Sequence, residues 1–217
     1  MKAFDAVVFD MDGVIFDSER ALMACWKELS GKYGVRDIET AYLACVGTNT
    51  AKTREIMLAA FGEDFPFDEY AREASGLYHE RYDGGRLPMK PGVRELLGFL
   101  TRNGKRLALA SSTRKQTVVG QLRDAGILEC FDAVVTGDMV TKSKPEPDIF
   151  LRACGEIGVP PERAYAVEDS HNGIRAAHRG RLRPIMVPDL LPANEEMRSL
   201  SEAVLASLEE VLEYLSK

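Results

Sequence analysis

Cysteine, histidine and long apolar runs are all scarce in this chain, and each scarcity removes a class of protein. The 217 residues include four cysteines, Cys25, Cys45, Cys130 and Cys154. None forms a C-x-x-C pair, so neither a zinc ribbon nor a disulfide framework is indicated, and all four read as reduced core thiols. Two of the three histidines, His79 and His171, fit no metal-ligand spacing. No apolar stretch reaches the roughly 20 residues that span a bilayer. The N-terminal MKAFDAVVFD lacks the apolar core of a signal peptide, which makes a cytoplasmic protein with no membrane partner the expectation. A net charge of -6 gives no general attraction for nucleic acid. Internal repeats and low-complexity tracts are also missing. What the chain does have is 45% hydrophobic residues, enough for one substantial core and a smaller second lobe.

Those residues fall into short apolar runs that end in polar groups. The first, in VVFDMDGVIFDSE (7–19), drives Val7, Val8 and Phe9 straight into Asp10, Asp12 and Asp17. An unbroken β-branched and aromatic run suits a strand covered on both faces in a parallel sheet. KRLALAS (105–111), FDAVVTG (131–137), RAYAVED (163–169) and RPIMVPD (183–189) repeat the plan. Helical patterns lie between them: PGVRELLGFLTRNG, TRKQTVVGQLRDAG, PDIFLRACGEIG and SHNGIRAAHRG, several closed by glycine. This alternation predicts an α/β fold, a doubly wound, Rossmann-like core of about five parallel strands, with functional groups at the strands' carboxyl ends. Residues 18 to about 85 break the rhythm with four helical stretches, beginning with SERALMACWKELSGKYG, where Ser18 is the predicted N-cap. The predicted division is a core of 1–16 and 88–217 with a helical lobe of 17–87, hinged at its two crossings and able to lid the sheet edge. From Pro192 the expectation is a polar loop and one closing amphipathic helix, AVLASLEEVLEYL.

Chemistry concentrates at four strand ends. Asp10 and Asp12 follow the first strand, and Gly13 lets the backbone turn. Desolvating two unpaired carboxylates costs several kcal/mol, so they need a cation, a proton or strong hydrogen bonds, unless they merely cap a turn. LALASS delivers Ser111 to the edge, where a hydroxyl and the next amides can hold a phosphate; a plain helix cap by Ser112 or Thr113 is the bland alternative. In KSKPEP, Pro145 restricts Lys144 and leaves it on a fixed loop near the acids, though most lysines are simply solvated. VEDSHNG ends a strand in Glu168 and Asp169 before a turn into a helix; another helix cap, by Asp169 or Ser170, is the bland alternative. Four separate caps explain poorly why all of this falls on successive strand ends of one sheet. Oxygen ligands from Asp10 and Asp169 suit Mg²⁺ bridging to a phosphate. Asp17 reads as a dipole partner or hinge contact.

DMDGVIFDSE, LALASS, KSKPEPDIF and VEDSHNG resemble the four motifs of the haloacid dehalogenase superfamily of phosphotransferases, in the branch with a helical cap after the first strand. The resemblance implies an aspartyl-phosphate mechanism with Asp10 as nucleophile and Asp12 as acid and base. It implies Mg²⁺ held by the Asp10 carboxylate, the Asp12 backbone carbonyl and Asp169, with Glu168 behind them. Lys144 and Ser111 would cradle phosphate, with Ser112 and Arg114 beside them. In CVGTNTAKTRE, the residues Gly47, Thr48, Asn49, Thr50 and Arg54 would meet the leaving group, unless this is an ordinary helix start. The implied function is a Mg-dependent phosphatase of a small phosphorylated metabolite, a sugar phosphate in particular, acting as a monomer or weak homo-oligomer. A hexose-phosphate mutase of the β-phosphoglucomutase type is the alternative. Against it, Leu22 stands where such mutases carry a histidine, and Thr50 where they carry a basic residue. A dehalogenase would need neither Asp12, Asp169 nor Mg²⁺. A non-catalytic module binding a phosphometabolite is a third reading, and the intact motifs speak against it. One departure is AAHRGRLRP, where Arg181 and Leu182 follow Gly180, which predicts a helix stop shifted by one residue. Arg175, His178, Arg179, Arg181 and Arg183 read as a solvated basic face.

Overall fold

Ala6–Phe9 forms strand β1 with every residue buried, as a run without polar alternation requires. It lies inside a wholly parallel sheet with β2 (Arg106–Ser111), β3 (Ala133–Thr136), β4 (Ala164–Glu168), β5 (Arg183–Met186) and β6 (Ala203–Val204). The computed structural model describes residues 3–48 and 50–217 and orders these strands β3-β2-β1-β4-β5-β6. Successive side chains point to opposite faces, so Ala6, Val8, Ala108, Ala110, Ala164 and Ala166 share one face. Alanines there let a helix approach closely. Val7, Phe9, Leu107, Leu109, Tyr165 and Val167 are equally buried on the other face.

Two compact units divide the chain, one made of residues up to Asp17 and from Met89 on, the other of Ser18–Pro88. The second is helical: α1 (Ser18–Ser30), α2 (Ile38–Cys45), α3 (Thr50–Phe61) and α4 (Phe67–Tyr82). Cys25, Trp26 and Leu29 bury one face of α1, and the Trp26 ring sits edge-on to Tyr42 and Tyr70 at 5.2 and 5.4 Å. Tyr70 donates its hydroxyl to the Trp26 carbonyl, so this buried phenol keeps a hydrogen-bond partner inside the aromatic cluster. In the first unit, α5 (Val93–Arg102), α6 (Lys115–Asp124), α7 (Asp148–Ile157), α8 (His171–Arg179), α9 (Glu195–Leu200) and α10 (Leu208–Ser216) accompany the sheet. Ile149, Phe150, Ala153, Cys154 and Ile157 of α7 pack on its alanine-rich face. No described helix is long and apolar enough to cross a membrane.

The sheet has a sixth strand where the sequence predicts helix. Ala203 and Val204 pair with Ile185 and Met186, and the flanking Glu202 and Leu205 amides donate to the Pro184 and Met186 carbonyls at 2.7 and 2.9 Å. Side-chain bonding adds to the ladder. Glu202 accepts from Arg183 Nε at 2.6 Å and from the Tyr165 and Tyr214 hydroxyls at 3.0 Å each. The Arg183 bond first, and then the two tyrosines, pull the Glu202 carboxyl down to about 2. The closing helix therefore starts at Leu208, capped by Ser207.

The helix stop after α8 is shifted as well. Gly180 stays right-handed at φ -74°, and Arg181 takes the left-handed conformation at φ 64°. A side chain there costs about 1 kcal/mol, and the exposed Arg181–Glu162 pair at 3.2 Å returns little of it. Arg181→Gly is expected to raise the unfolding free energy by about 0.5–1 kcal/mol, read as a higher urea midpoint at unchanged slope. A lowered midpoint would show that the arginine contributes more than its strain costs. The rest of the basic face is interleaved with acids, Arg175 pairing with Glu196, Arg179 with Glu146 and Arg183 with Glu202.

Candidate active site

β1 ends at Phe9, and the Asp10 amide still donates to Val167 of β4 at 3.0 Å, so the Asp10 side chain is fixed at the sheet's carboxyl edge. Beyond it the chain folds back tightly. Ile15 and Phe16 amides donate to the Met11 carbonyl at 2.8 and 3.0 Å, and Gly13 donates to Phe16 at 2.9 Å. Gly13 stands at φ +79°, and a Cβ there would overlap the Asp169 carboxylate. Both facts require glycine. The returning chain bridges to Met89, and the Lys90 ammonium lies 2.7 Å from Asp189 and 3.5 Å from Asp17. Asp17 is thus a side-chain partner of Lys90.

Four strand ends meet here. Lys144 Nζ lies 2.5 Å from Asp10 Oδ1, 2.6 Å from Glu168 Oε1 and 3.1 Å from the Ala110 carbonyl, with the Phe150 ring 4.9 Å away. Asp10, Glu168 and Asp169 are all buried, and one ligand oxygen from each lies within 4.8 Å of the others. Burial pushes the Asp10 carboxyl up to about 8; the Lys144 ammonium pulls against this, and Glu168 and Asp12 add repulsion. Burial alone would lower Lys144, but the carboxylates of Asp10 and Glu168 hold it above its ordinary value. Glu168 is committed on both oxygens, since Oε2 accepts from the Ser170 amide at 2.8 Å and the Ser170 hydroxyl at 3.0 Å.

Fully ionised, three clustered carboxylates against one ammonium leave two negative charges to be neutralised. An all-oxygen donor set with that charge fits a hard divalent cation such as Mg²⁺. With Glu168 committed to Lys144 and Ser170, Asp10 and Asp169 are the side chains suited to touch such an ion.

The remaining predicted residues fall in three places. Ser111 ends β2 fully buried, and its hydroxyl oxygen accepts from the Thr113 amide at 3.1 Å. Ser112 and Arg114 are exposed on the same loop. Neither Ser112 nor Thr113 caps α6: Arg114 holds the cap position without a side-chain bond, and the Thr113 hydroxyl donates instead to Asp12 Oδ2 at 2.9 Å. Ser170 does cap α8, accepting from Gly173 at 3.0 Å. Gly47, Thr48, Thr50 and Arg54 belong to the other unit. There Thr48 bonds the Cys45 carbonyl at 2.7 Å and the Thr53 hydroxyl at 2.9 Å, and Arg54 pairs with Asp68 above the Phe67 ring. Asn49 lies outside the described residues. Sequence reasoning passed over Ser170 as a brace for Glu168 and Thr113 as a partner of Asp12. In each case a serine or threonine before a helix looked like a cap and nothing more.

Comparison with known proteins bears on this site. The family model of haloacid dehalogenase-like hydrolases matches residues 4–180. A phosphorylated carbohydrates phosphatase of Thermotoga maritima is 29% identical, the alignment covering 98% of this chain and 99% of that protein. The protein CbbY of Cereibacter sphaeroides is 33% identical over 88% of this chain and 87% of its own. Among solved structures, a CbbY variant from Rhodobacter sphaeroides in complex with xylulose-1,5-bisphosphate superposes with a TM-score of 0.75. It is 30% identical, with 95% of this chain and 96% of that one covered.

Proposed function

Because this chain belongs to the haloacid dehalogenase-like hydrolases, we propose that it is a magnesium-dependent phosphatase of a small phosphorylated metabolite, most directly a sugar phosphate, acting through an aspartyl-phosphate on Asp10. The observation that carries this reading is the Lys144 ammonium set between Asp10 and Glu168 in a buried acidic cluster. A lysine so placed serves two ends: it keeps the nucleophile's carboxylate oriented, and it offers positive charge to a phosphate arriving beside it. The phosphatase relative supports a phosphorylated carbohydrate as substrate, and the bisphosphate complex of CbbY supports a small sugar ligand.

In this reading one Asp10 oxygen attacks phosphorus while the bond to the leaving oxygen breaks on the opposite side. Asp12 gives its proton to the departing alkoxide, and later takes one from the water that hydrolyses the acyl phosphate. Ser111 and Lys144 hold the phosphate oxygens, and Glu168 keeps Lys144 in place. Mg²⁺, when bound by Asp10, the Asp12 carbonyl and Asp169, supplies charge neutralisation to the transferred group. Ser112 and Arg114 are proposed to lie along the phosphate's path. Gly47, Thr48, Asn49, Thr50 and Arg54 are proposed as leaving-group contacts on a helical cap, Arg54 having first to exchange Asp68 for substrate.

The test is phosphate release from p-nitrophenyl phosphate and a panel of sugar phosphates with Mg²⁺ and with chelator. Turnover that needs Mg²⁺ is expected, with one sugar phosphate preferred. Interconversion of hexose phosphates primed by glucose 1,6-bisphosphate, without free phosphate, would favour the mutase. Silence on every substrate would leave a binding module.

A further inference from the structure

Asp12 Oδ2 accepts a hydrogen bond from the Thr113 hydroxyl at 2.9 Å. That hydroxyl comes from a loop held on several sides. The Thr113 amide donates to Ser111 Oγ at 3.1 Å, a turn in which the serine side chain fixes the residue two places on. The Thr113 carbonyl accepts from the Gly137 amide at 3.2 Å. Gly137 itself runs so close to the Ser112 carbonyl that a Cβ there would overlap it. Asp138 then ties the loop's far end, its Oδ1 accepting from the Lys115 amide at 3.2 Å and the Thr136 hydroxyl at 2.5 Å. A half-buried threonine braced this way presents its hydroxyl in one direction.

We propose that Thr113 is a positioning residue for Asp12, holding Oδ2 so that Oδ1 is the oxygen that carries the proton to the leaving group. The inference rests on the hydrolase reading above and adds to it a residue acting through Asp12. A protonated carboxyl can carry its hydrogen on either oxygen. An Oδ2 that already accepts a hydrogen bond leaves Oδ1 as the site of the proton. The threonine donates to Oδ2 whether Asp12 is charged or neutral, so the brace persists through both proton transfers. As the phosphorus–oxygen bond of the substrate breaks, the proton passes from Asp12 Oδ1 to the alkoxide, and the attacking water returns one to the same oxygen.

Leaving groups of different basicity separate this role from a merely structural one. p-Nitrophenolate departs without a proton, whereas a sugar or alkyl alkoxide needs one. The kcat/KM value reports the step in which the leaving group goes, so it is measured for wild type, Thr113→Val, Thr113→Ala and Thr113→Ser on p-nitrophenyl phosphate and on the best alkyl phosphate of the panel. The valine and alanine variants are expected to lose about 10- to 100-fold on the alkyl phosphate, part of what a general acid contributes. On p-nitrophenyl phosphate they are expected to lose no more than about 3-fold, and the serine variant is expected to restore both to near wild type. Thermal midpoints check that each variant is folded, and alanine serves if valine is not tolerated. Equal losses on the two substrates, or no loss on either, with an active wild type, overturn the assignment to Thr113 alone. A wild type inactive on both substrates overturns the hydrolase reading and this inference with it.

Discussion

Asp10→Asn is expected to abolish turnover while making the metal-free protein harder to unfold. The asparagine keeps the shape of the side chain but has no carboxylate oxygen to attack phosphorus, so kcat should fall by at least about 10,000-fold. Stability should move the other way. Asp10 is buried among Glu168, Asp169 and Asp12, and its carboxyl is pushed up to about 8, burial being the largest cause. An acid whose folded value is raised above the unfolded one costs stability as pH climbs from roughly 4, the unfolded value, toward the folded one. The neutral asparagine removes that cost, and Lys144 keeps Glu168 and the Ala110 carbonyl. In chelator, the variant's melting temperature should therefore exceed that of wild type at pH 7 to 8 and converge with it near pH 4. Added Mg²⁺ should reverse the order by stabilising wild type more. Residual phosphatase activity beyond trace contamination would end Asp10's role as nucleophile. A metal-free variant less stable than wild type would mean that Lys144 needs Asp10 more than the acidic cluster resents it.

The sheet was legible because its strands are apolar on both faces, and that leaves little else for VVF, LALA and YAV to be. The meeting of residues 10, 144, 168 and 169 followed from topology, since parallel strands joined by helices present all their carboxyl ends along one edge. What escaped was short-range competition. Ala203 and Val204 fit the helical period of the tail, but β5 offered an open edge, and Glu202 found Arg183, Tyr165 and Tyr214 around it. A two-residue strand held by such partners leaves no periodic signal. Thr113 satisfied the pattern of a helix cap, yet Asp12 lay within reach and took the hydroxyl. Arg181 adopts a left-handed conformation that Gly180, one residue earlier, could have taken more cheaply, because Gly180 continues the right-handed turn and leaves the reversal to its neighbour. The roles of the helical unit's threonines were never legible from pattern, for Thr48 and Thr50 look alike as loop and as ligand contact.

Gly173→Ala is the second change with a large expected effect, and its sign runs against helix propensity. Gly173 lies in the first turn of α8, where alanine ordinarily gains about 1 kcal/mol over glycine. Its backbone is not strained, so freedom of φ is not the reason for glycine. The reason is space: a Cβ at this position would fall on the Glu168 carboxylate. Glu168 cannot yield easily, because Lys144 holds one oxygen and the Ser170 amide and hydroxyl hold the other. Moving it would break charge-assisted bonds worth about 1.5–3 kcal/mol each, and shifting α8 away would open the buried packing around Ile174 and Ala177. The expected outcome is a destabilisation of about 3 kcal/mol or more, read from denaturant midpoints, and a kcat lowered by at least about 100-fold as Lys144 loses its brace. A double-mutant cycle isolates the cause. In a Glu168→Ala background the carboxylate is gone, and Gly173→Ala should cost little or even stabilise the fold. If the cost stayed the same in both backgrounds, the steric conflict between helix and carboxylate would not be its source, and the tight seat of α8 against the acidic cluster would have to be explained by the backbone alone.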